Sequence, residues 1–125
     1  MDAVVTKKAR NKMLKARAGD QALPKIVGMA FGDEGIEESG GIITPSIEQT
    51  ALNNELLRKE VSGHEYLSDT VCRYSCTLEA NELAGKSISE IALYDEEGDL
   101  IAIKNFSAKG KDDDLEMTFN IDDTF

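Results

Sequence analysis

Residues 90–104 read Glu-Ile-Ala-Leu-Tyr-Asp-Glu-Glu-Gly-Asp-Leu-Ile-Ala-Ile-Lys, two apolar runs separated by an acidic turn that contains a glycine. The pattern predicts a β-hairpin, because Asp95 suits the first corner of a type I turn and Gly98 can adopt the left-handed conformation that closes it. This turn sets Asp95 opposite Asp99 and thereby fixes a register. The predicted cross-strand pairs are Ile91 with Ile103, Leu93 with Ile101, Tyr94 with Leu100, Ala92 with Ala102 and Glu90 with Lys104. The rest of the fold must cover the apolar face of this hairpin.

The length and composition are those of an ordinary folded chain. A chain of 125 residues fits a single domain, 1–125, that is large enough to bury a core without metals or disulfides. A hydrophobic content of 41% argues against disorder. No apolar run is long enough to span a bilayer, and the basic N-terminus is not followed by a hydrophobic stretch. We therefore expect no membrane partner and no signal peptide, with synthesis in a cytoplasm.

The charge is distributed unevenly along the chain. The net charge is −10, but residues 1–25 carry seven Lys or Arg against two Asp, a balance of +5 that leaves −15 for the remainder. An acidic body repels phosphate, so we expect no nucleic-acid partner. The basic segment is better explained as a solvated helix face or as a contact with an acidic neighbour.

The two cysteines, Cys72 and Cys76, fall four residues apart in a predicted strand. At that spacing they lie about 13 Å apart, which is too far for a disulfide. We expect buried free thiols, and we expect no bound cofactor. His64 is the only histidine of the chain, so a Cys/His metal site is not expected.

Two helices are predicted. Thr6 is a suitable N-cap, Lys7 to Ala18 contains no helix breaker, and Gly19 is a natural stop. This first helix is basic, with a thin apolar side. A second helix is predicted from Ser46 to Leu56, because Ser46 and Gln49 have the spacing of a capping box.

Strands are predicted where apolar residues alternate with polar or small ones. Their ranges are 25–31, 71–78 and 115–121, in addition to the hairpin. Small residues on one face of the first of these, Gly28 and Ala30, suggest that another group packs close to it. Loops are predicted at 36–43, 63–69 and 106–114. The predicted fold class is therefore α+β, with two helices packed on a mostly antiparallel sheet.

The motifs associated with chemistry are weak. Carboxylates at 33, 34, 37 and 38 lack the alternating spacing of a calcium loop, and a second acidic set, at 112–114, 122 and 123, is more simply explained as solvated charge. Gly85-Lys86-Ser87 is similar to the end of a phosphate-binding loop, but Ala80 stands where the first glycine belongs. His64 has no nucleophile at a motif spacing. We expect no metal site and no enzymatic activity.

Four segments of the chain, in order, resemble the N-terminal domain of phage tail-collar fibre proteins. The hairpin is the most specific of the four, because Glu-Ile-x-Leu-Tyr-Asp-x-x-Gly recurs in that family. The matching segments are Thr6-Lys-Lys-Ala-Arg, Ile26 to Asp33, Gln49-Thr-Ala-Leu-Asn-Asn-Glu with Leu57-Arg58, and Ile88-Ser-Glu-Ile-Ala-Leu-Tyr-Asp-Glu-Glu-Gly-Asp-Leu-Ile-Ala.

The resemblance implies a structural role in the virion tail of a phage or prophage, in which the domain anchors a tail fibre to the baseplate or collar and serves host adhesion. It also implies baseplate or other tail proteins as partners, and a homo-oligomer, with a trimer favoured. Family members commonly continue into a shaft and a receptor-binding tip, whereas this sequence stops at Phe125. Such a chain is a short attachment protein, a prophage remnant or a fragment of something longer.

Two surfaces are the predicted partner contacts, the basic helix and the 36–43 loop. The candidate residues are Lys8, Lys12, Lys15, Arg17, Ile36 and Ile42. Two other functions stay open at this point. One is a small carbohydrate- or ion-binding module without catalysis, and the other is a small hydrolase that uses its carboxylates.

Overall fold

The computed structural model describes residues 3–125 as two antiparallel β-sheets and one α-helix. The elements are β1 (Val4–Val5), α1 (Lys7–Arg17), β2 (Ile26–Gly32), β3 (Glu55–Glu60), β4 (Gly63–Ser68), β5 (Val71–Leu78), β6 (Ser87–Asp95), β7 (Leu100–Gly110) and β8 (Met117–Thr124). The first sheet has the strand order β1-β7-β6-β2-β3, and the second has the order β4-β5-β8.

The core lies between the two sheets. Phe31 of β2 meets Phe119 of β8 edge to face, with ring centroids 5.4 Å apart, and a smaller cluster around Leu52 covers the opposite face of the first sheet. Residues 88–93 of the central strand β6 are all buried, because this strand is covered on both faces. The residues of the main core are Met29, Phe31, Cys76, Leu78, Ile88, Ile91, Leu93, Ala102, Phe119 and Ile121.

The fold class predicted from the sequence is wrong. The chain is mostly antiparallel β-structure, with 48% strand and 9% helix, and the described residues contain no second helix. Ser46 and Gln49 do hydrogen-bond across one turn, but the turn does not continue. Leu52 instead packs on the first sheet, and β3 begins at Glu55 because its backbone pairs with β2. Tertiary pairing therefore outweighs the local helical signal.

The hairpin turn is confirmed, whereas the predicted register is wrong beyond it. Asp95 N–H donates to the Asp99 carbonyl at 3.0 Å and Gly98 has a φ of +86°, as the turn chemistry requires. Tyr94 lies opposite Leu100 as predicted. A β-bulge then shifts the register by one residue, which gives the pairs Leu93–Ala102, Ala92–Ile103, Ile91–Lys104 and Glu90–Asn105.

The bulge has a packing reason. Leu100 and Ile103 contribute to the cluster around Leu52, whereas Ile101 and Ala102 between them face the main core. A regular strand cannot place two consecutive residues on one side, and an extra residue in the bulge can.

The strands predicted at 25–31 and 115–121 are observed slightly later, as β2 and β8, whereas the loop predicted at 106–114 is wrong up to Gly110 because β7 continues to that residue. The predicted strand 71–78 coincides with β5, and the loop predicted at 63–69 is wrong because β4 occupies it. The small face of β2 is also explained, since a Cβ on Gly28 would overlap the ring of Tyr94. Both cysteines are free, with Cys76 buried and Cys72 half-buried.

Candidate contact surfaces

The helix α1 is fixed at both ends by local chemistry. The hydroxyl of Thr6 accepts the N–H of Ala9 at 3.1 Å and donates to the carbonyl of Leu100 at 2.8 Å, so one side chain caps the helix and ties it to β7. Gly19, with a φ of +81°, ends it. Lys15 lies in the last turn, where a positive charge is favourable.

Lys12 is turned inward and is held by the hairpin turn. Its ammonium lies 2.5 Å from Asp95, 2.7 Å from Asp99 and 2.9 Å from Glu97, and its side chain is only 7% exposed. Burial alone would lower the pKa of Lys12, but hydrogen bonds to the three carboxylates outweigh it and hold the pKa well above the usual value. Lys12 therefore attaches α1 to the hairpin, and its ammonium does not project from the surface.

These three carboxylates are also the group, among the described residues, whose oxygens are close enough to share a metal ion. The ammonium of Lys12 occupies the position between them that a cation would take. Such a group is formed neither by the first acidic set, at 33, 34, 37 and 38, nor by the second, at 112–114, 122 and 123. In the second set, Asp122 pairs with Arg73 at 2.7 Å, which lowers the pKa of that carboxyl.

The remaining basic candidates of α1 are exposed. Lys8 lies 3.1 Å from Asp99 and keeps about half of its side chain in solvent. Lys15 and Arg17 are exposed and form no ion pair with residues 3–125. The outer face of the helix is therefore a cationic surface on a rigidly attached element.

The predicted 36–43 loop is a tight turn. Ile36 and Ile42 pair through an isolated β-bridge, Glu37 N–H donates to Gly41 O at 2.7 Å, and Ile43 N–H donates to Gly35 O at 2.9 Å. Ile42 is 37% exposed, whereas Ile36 is half-buried. The turn therefore presents a small apolar and acidic tip.

Buried polar side chains of the central strands hold this turn in place. Ser89 accepts the N–H of Gly35 at 2.9 Å, and the amide group of Asn105 donates to the carbonyl of Ile43 at 2.8 Å. Both side chains are almost fully buried. One end of the turn is thus attached to β6 and the other end to β7.

Glu90 extends the same attachment to a neighbouring segment. Its two carboxylate oxygens accept the N–H groups of Glu34 at 3.1 Å, Asn53 at 2.8 Å and Asn54 at 2.9 Å, and the residue is fully buried. Sequence reasoning missed this role and assigned Glu90 to a pair with Lys104. The sequence feature that could have indicated this role is a carboxylate within an otherwise apolar predicted strand.

The chain matches one known protein family. The profile of one protein family, described as phage tail-collar fibre protein, N-terminal, matches residues 1–120 of the 125. The chain belongs to the phage tail-collar fibre family. It is therefore a structural component of a phage virion tail, and the family is one whose members associate with other tail proteins. The searches of curated proteins and of solved structures found no match.

One further finding concerns membranes. Within residues 3–125, no helix is long and apolar enough to cross a bilayer.

Proposed function

We propose that this chain anchors a tail fibre to the baseplate or collar by protein–protein contacts and without catalysis. The main support for this proposal is that the exposed contact candidates lie on two elements that buried side chains hold in place. The cationic face of α1 is fixed through Lys12, and the turn that bears Ile42 is fixed through Ser89 and Asn105. Rigid surfaces suit an anchor, because little conformational entropy is lost when the partner binds.

Four of the candidates are the exposed part of these contacts: Lys8, Lys15, Arg17 and Ile42. Ile36 supports the turn from beneath. Lys12 stays in the proposal as a residue that positions the helix, since its buried ammonium is already surrounded by carboxylates.

We also propose that the 125 residues act as one domain in a homo-oligomer, with synthesis in the host cytoplasm and no contact with nucleic acid. The net charge of −10 supports the last point. The position of His64 is consistent with the absence of catalysis, because its ring packs edge to face on Tyr66 and tilted against Tyr74, with ring centroids 5.6 Å apart in both contacts.

Incorporation of tagged chains into purified tails tests this function. Lys15→Glu/Arg17→Glu reverses two of the unpaired charges of the helix, and Ile42→Glu places a charge at the tip of the turn. Each should lower the amount of chain in sedimented tails by about tenfold or more, as expected when a central interface contact is lost.

Lys86→Glu/Lys109→Glu is the matched control, because both lysines are exposed and belong to neither surface. It should incorporate like the wild type. Normal incorporation of both test variants, with unchanged melting temperatures, would refute the proposed contacts.

A further inference from the structure

The core-facing side of the second sheet loses its cover toward one end. Along β8, Phe119 and Ile121 are buried, Asp123 is half-buried, and Phe125 just beyond the strand is 71% exposed. Residues two apart on a strand share a face. The face that forms the core between the sheets therefore continues past the core, where Asp123 and Phe125 border a small cavity beside α1 of the same copy and Phe125 stays largely exposed.

A row of side chains crosses the second sheet at this partly covered end. Tyr66 of β4 lies opposite Cys72 of β5, which lies opposite Asp123 of β8. Tyr66 is 77% exposed, and β4 is an edge strand whose residues are all exposed. A fully exposed edge strand is a common assembly surface.

This row, Asp69 and Phe125 line a groove of about 310 Å³. The N–H of Phe125 donates to the carbonyl of Thr70 at 2.9 Å, so the backbone that carries this ring is fixed. The groove thus combines two exposed aromatic rings with two carboxylates.

Both carboxylates lack a cationic partner in the described chain. Asp69 and Asp123 form no ion pair there, and burial raises the pKa of Asp123. A cation next to aromatic rings and carboxylates is stabilised by both. The groove is therefore suited to a segment that carries positive charge together with an apolar side chain.

One exposed side of α1 is such a segment. Arg10, Leu14 and Arg17 are spaced four and three residues apart, so they form one stripe along the helix. Leu14 is 63% exposed, and neither arginine has an ion pair within residues 3–125. The stripe is on the side of the helix away from buried Ala9 and Lys12.

The two surfaces also agree in size. The stripe from Arg10 to Arg17 extends about 10 Å along the helix axis. Three adjacent strands, from Tyr66 to Asp123, span about 10 Å across the sheet.

We infer that the Tyr66–Phe125 groove of one copy binds the Arg10–Leu14–Arg17 stripe of a second copy. Leu14 packs between the aromatic rings, and the arginines face Asp69 and Asp123. The inference rests on the proposed homo-oligomer and assigns one of its contacts to a stripe of α1 that shares only Arg17 with the anchoring candidates. Because the two surfaces differ, the contact is head-to-tail, and it closes into a ring when the rotation between copies permits.

Light scattering of the purified chain over a concentration series, combined with mixing of two variants, tests this contact. Arg10→Glu/Arg17→Glu disables the stripe and keeps the groove, whereas Tyr66→Ala/Asp69→Lys disables the groove and keeps the stripe. The wild type should self-associate, and each variant alone should need at least about tenfold higher concentration to do so.

An equimolar mixture of the two variants should form a one-to-one heterodimer and nothing larger, because only one productive pair of surfaces remains. Lys86→Glu/Lys109→Glu should associate like the wild type. Every substituted residue is exposed, so the melting temperatures of all variants should be unchanged. Unchanged melting temperatures would exclude misfolding as the cause of a lost association.

Three results would overturn the inference: a wild type that is monomeric at all concentrations, variants that associate normally, or a mixture that does not pair. If the variants of this subsection associate normally but Lys15→Glu/Arg17→Glu is lost from tails, the groove contact is refuted while the proposed anchoring function stands. If the mixing results are as expected while tail incorporation is unaffected, the anchoring function of the helix fails instead.

Discussion

Residues 33–54 and strand β4 contrast sharply in how they are held. The first segment contains no helix or named strand, yet Ser89, Glu90 and Asn105 bind its backbone from within the core. Strand β4 is a regular six-residue strand, yet all of its residues are exposed and one of its edges pairs with no strand of the described chain.

The difference shows that regular secondary structure and fixed position are separate properties. An irregular segment is rigid where buried side chains satisfy its N–H and C=O groups. A strand with few buried contacts remains available to a partner. In this family member, the segment 33–54 presents a fixed turn, and β4 borders the groove assigned to self-association.

Among the variants considered, Glu90→Gln should produce the largest loss of stability. A small loss would contradict the contrast between segment 33–54 and strand β4. An amide group retains one acceptor oxygen and places an N–H₂ against backbone donors, so at least one of the N–H groups of Glu34, Asn53 and Asn54 loses its partner. The free energy of unfolding should fall by about 2–4 kcal/mol, measured by urea denaturation. Glu65→Gln in exposed β4 is the control and should change it by less than about 0.5 kcal/mol.

A matched pair of glycine substitutions compares the two regions directly. A Cβ on Gly35 would overlap the backbone carbonyl of Ser89, which cannot move away, whereas a Cβ on Gly63 of β4 meets nothing within 4 Å. Gly35→Ala should cost about 1–3 kcal/mol in thermal or urea unfolding. Gly63→Ala should stay within about 0.5 kcal/mol of the wild type. Equal costs at the two positions would contradict the contrast.

Acid should expose a third, smaller effect at the attachment of α1. Lys12 and Lys8 hold the pKa of Asp99 below its usual value, chiefly through the hydrogen bond from Lys12. The stability contributed by Asp99 is therefore present above its unfolded pKa and is lost as the pH falls through the lower folded pKa. Unfolding free energies between pH 5 and pH 2 should fall less steeply in Lys12→Met than in the wild type. Parallel pH profiles would show that the ion pairs do not fix the helix.

Local chemistry made part of the fold predictable. The Asp95–Asp99 turn and the helix that begins after Thr6 each follow from residues within a few positions of one another. Their partners are close in the chain, so the sequence pattern contains the whole interaction. The residue types alone indicate them.

The rest depended on distant partners. The bulge at Ile101 arises because the main core and the Leu52 cluster contact different faces of β7. The sequence pattern of the hairpin alone does not show which residues these two clusters bury. The sequence of β4 has the polarity of a loop, and only pairing with β5 makes it a strand. Charge alone indicates the contact candidates on α1, and charge cannot distinguish the inward Lys12 from the outward Lys15 without the position of Asp95.

Photo-crosslinking within assembled tails tests the central claim most directly. A photoreactive amino acid at position 42 should give a covalent adduct with another tail protein, and the same group at position 109 should give none, because only the first lies on a proposed anchoring surface. Adducts from position 109 and none from position 42 would contradict the account.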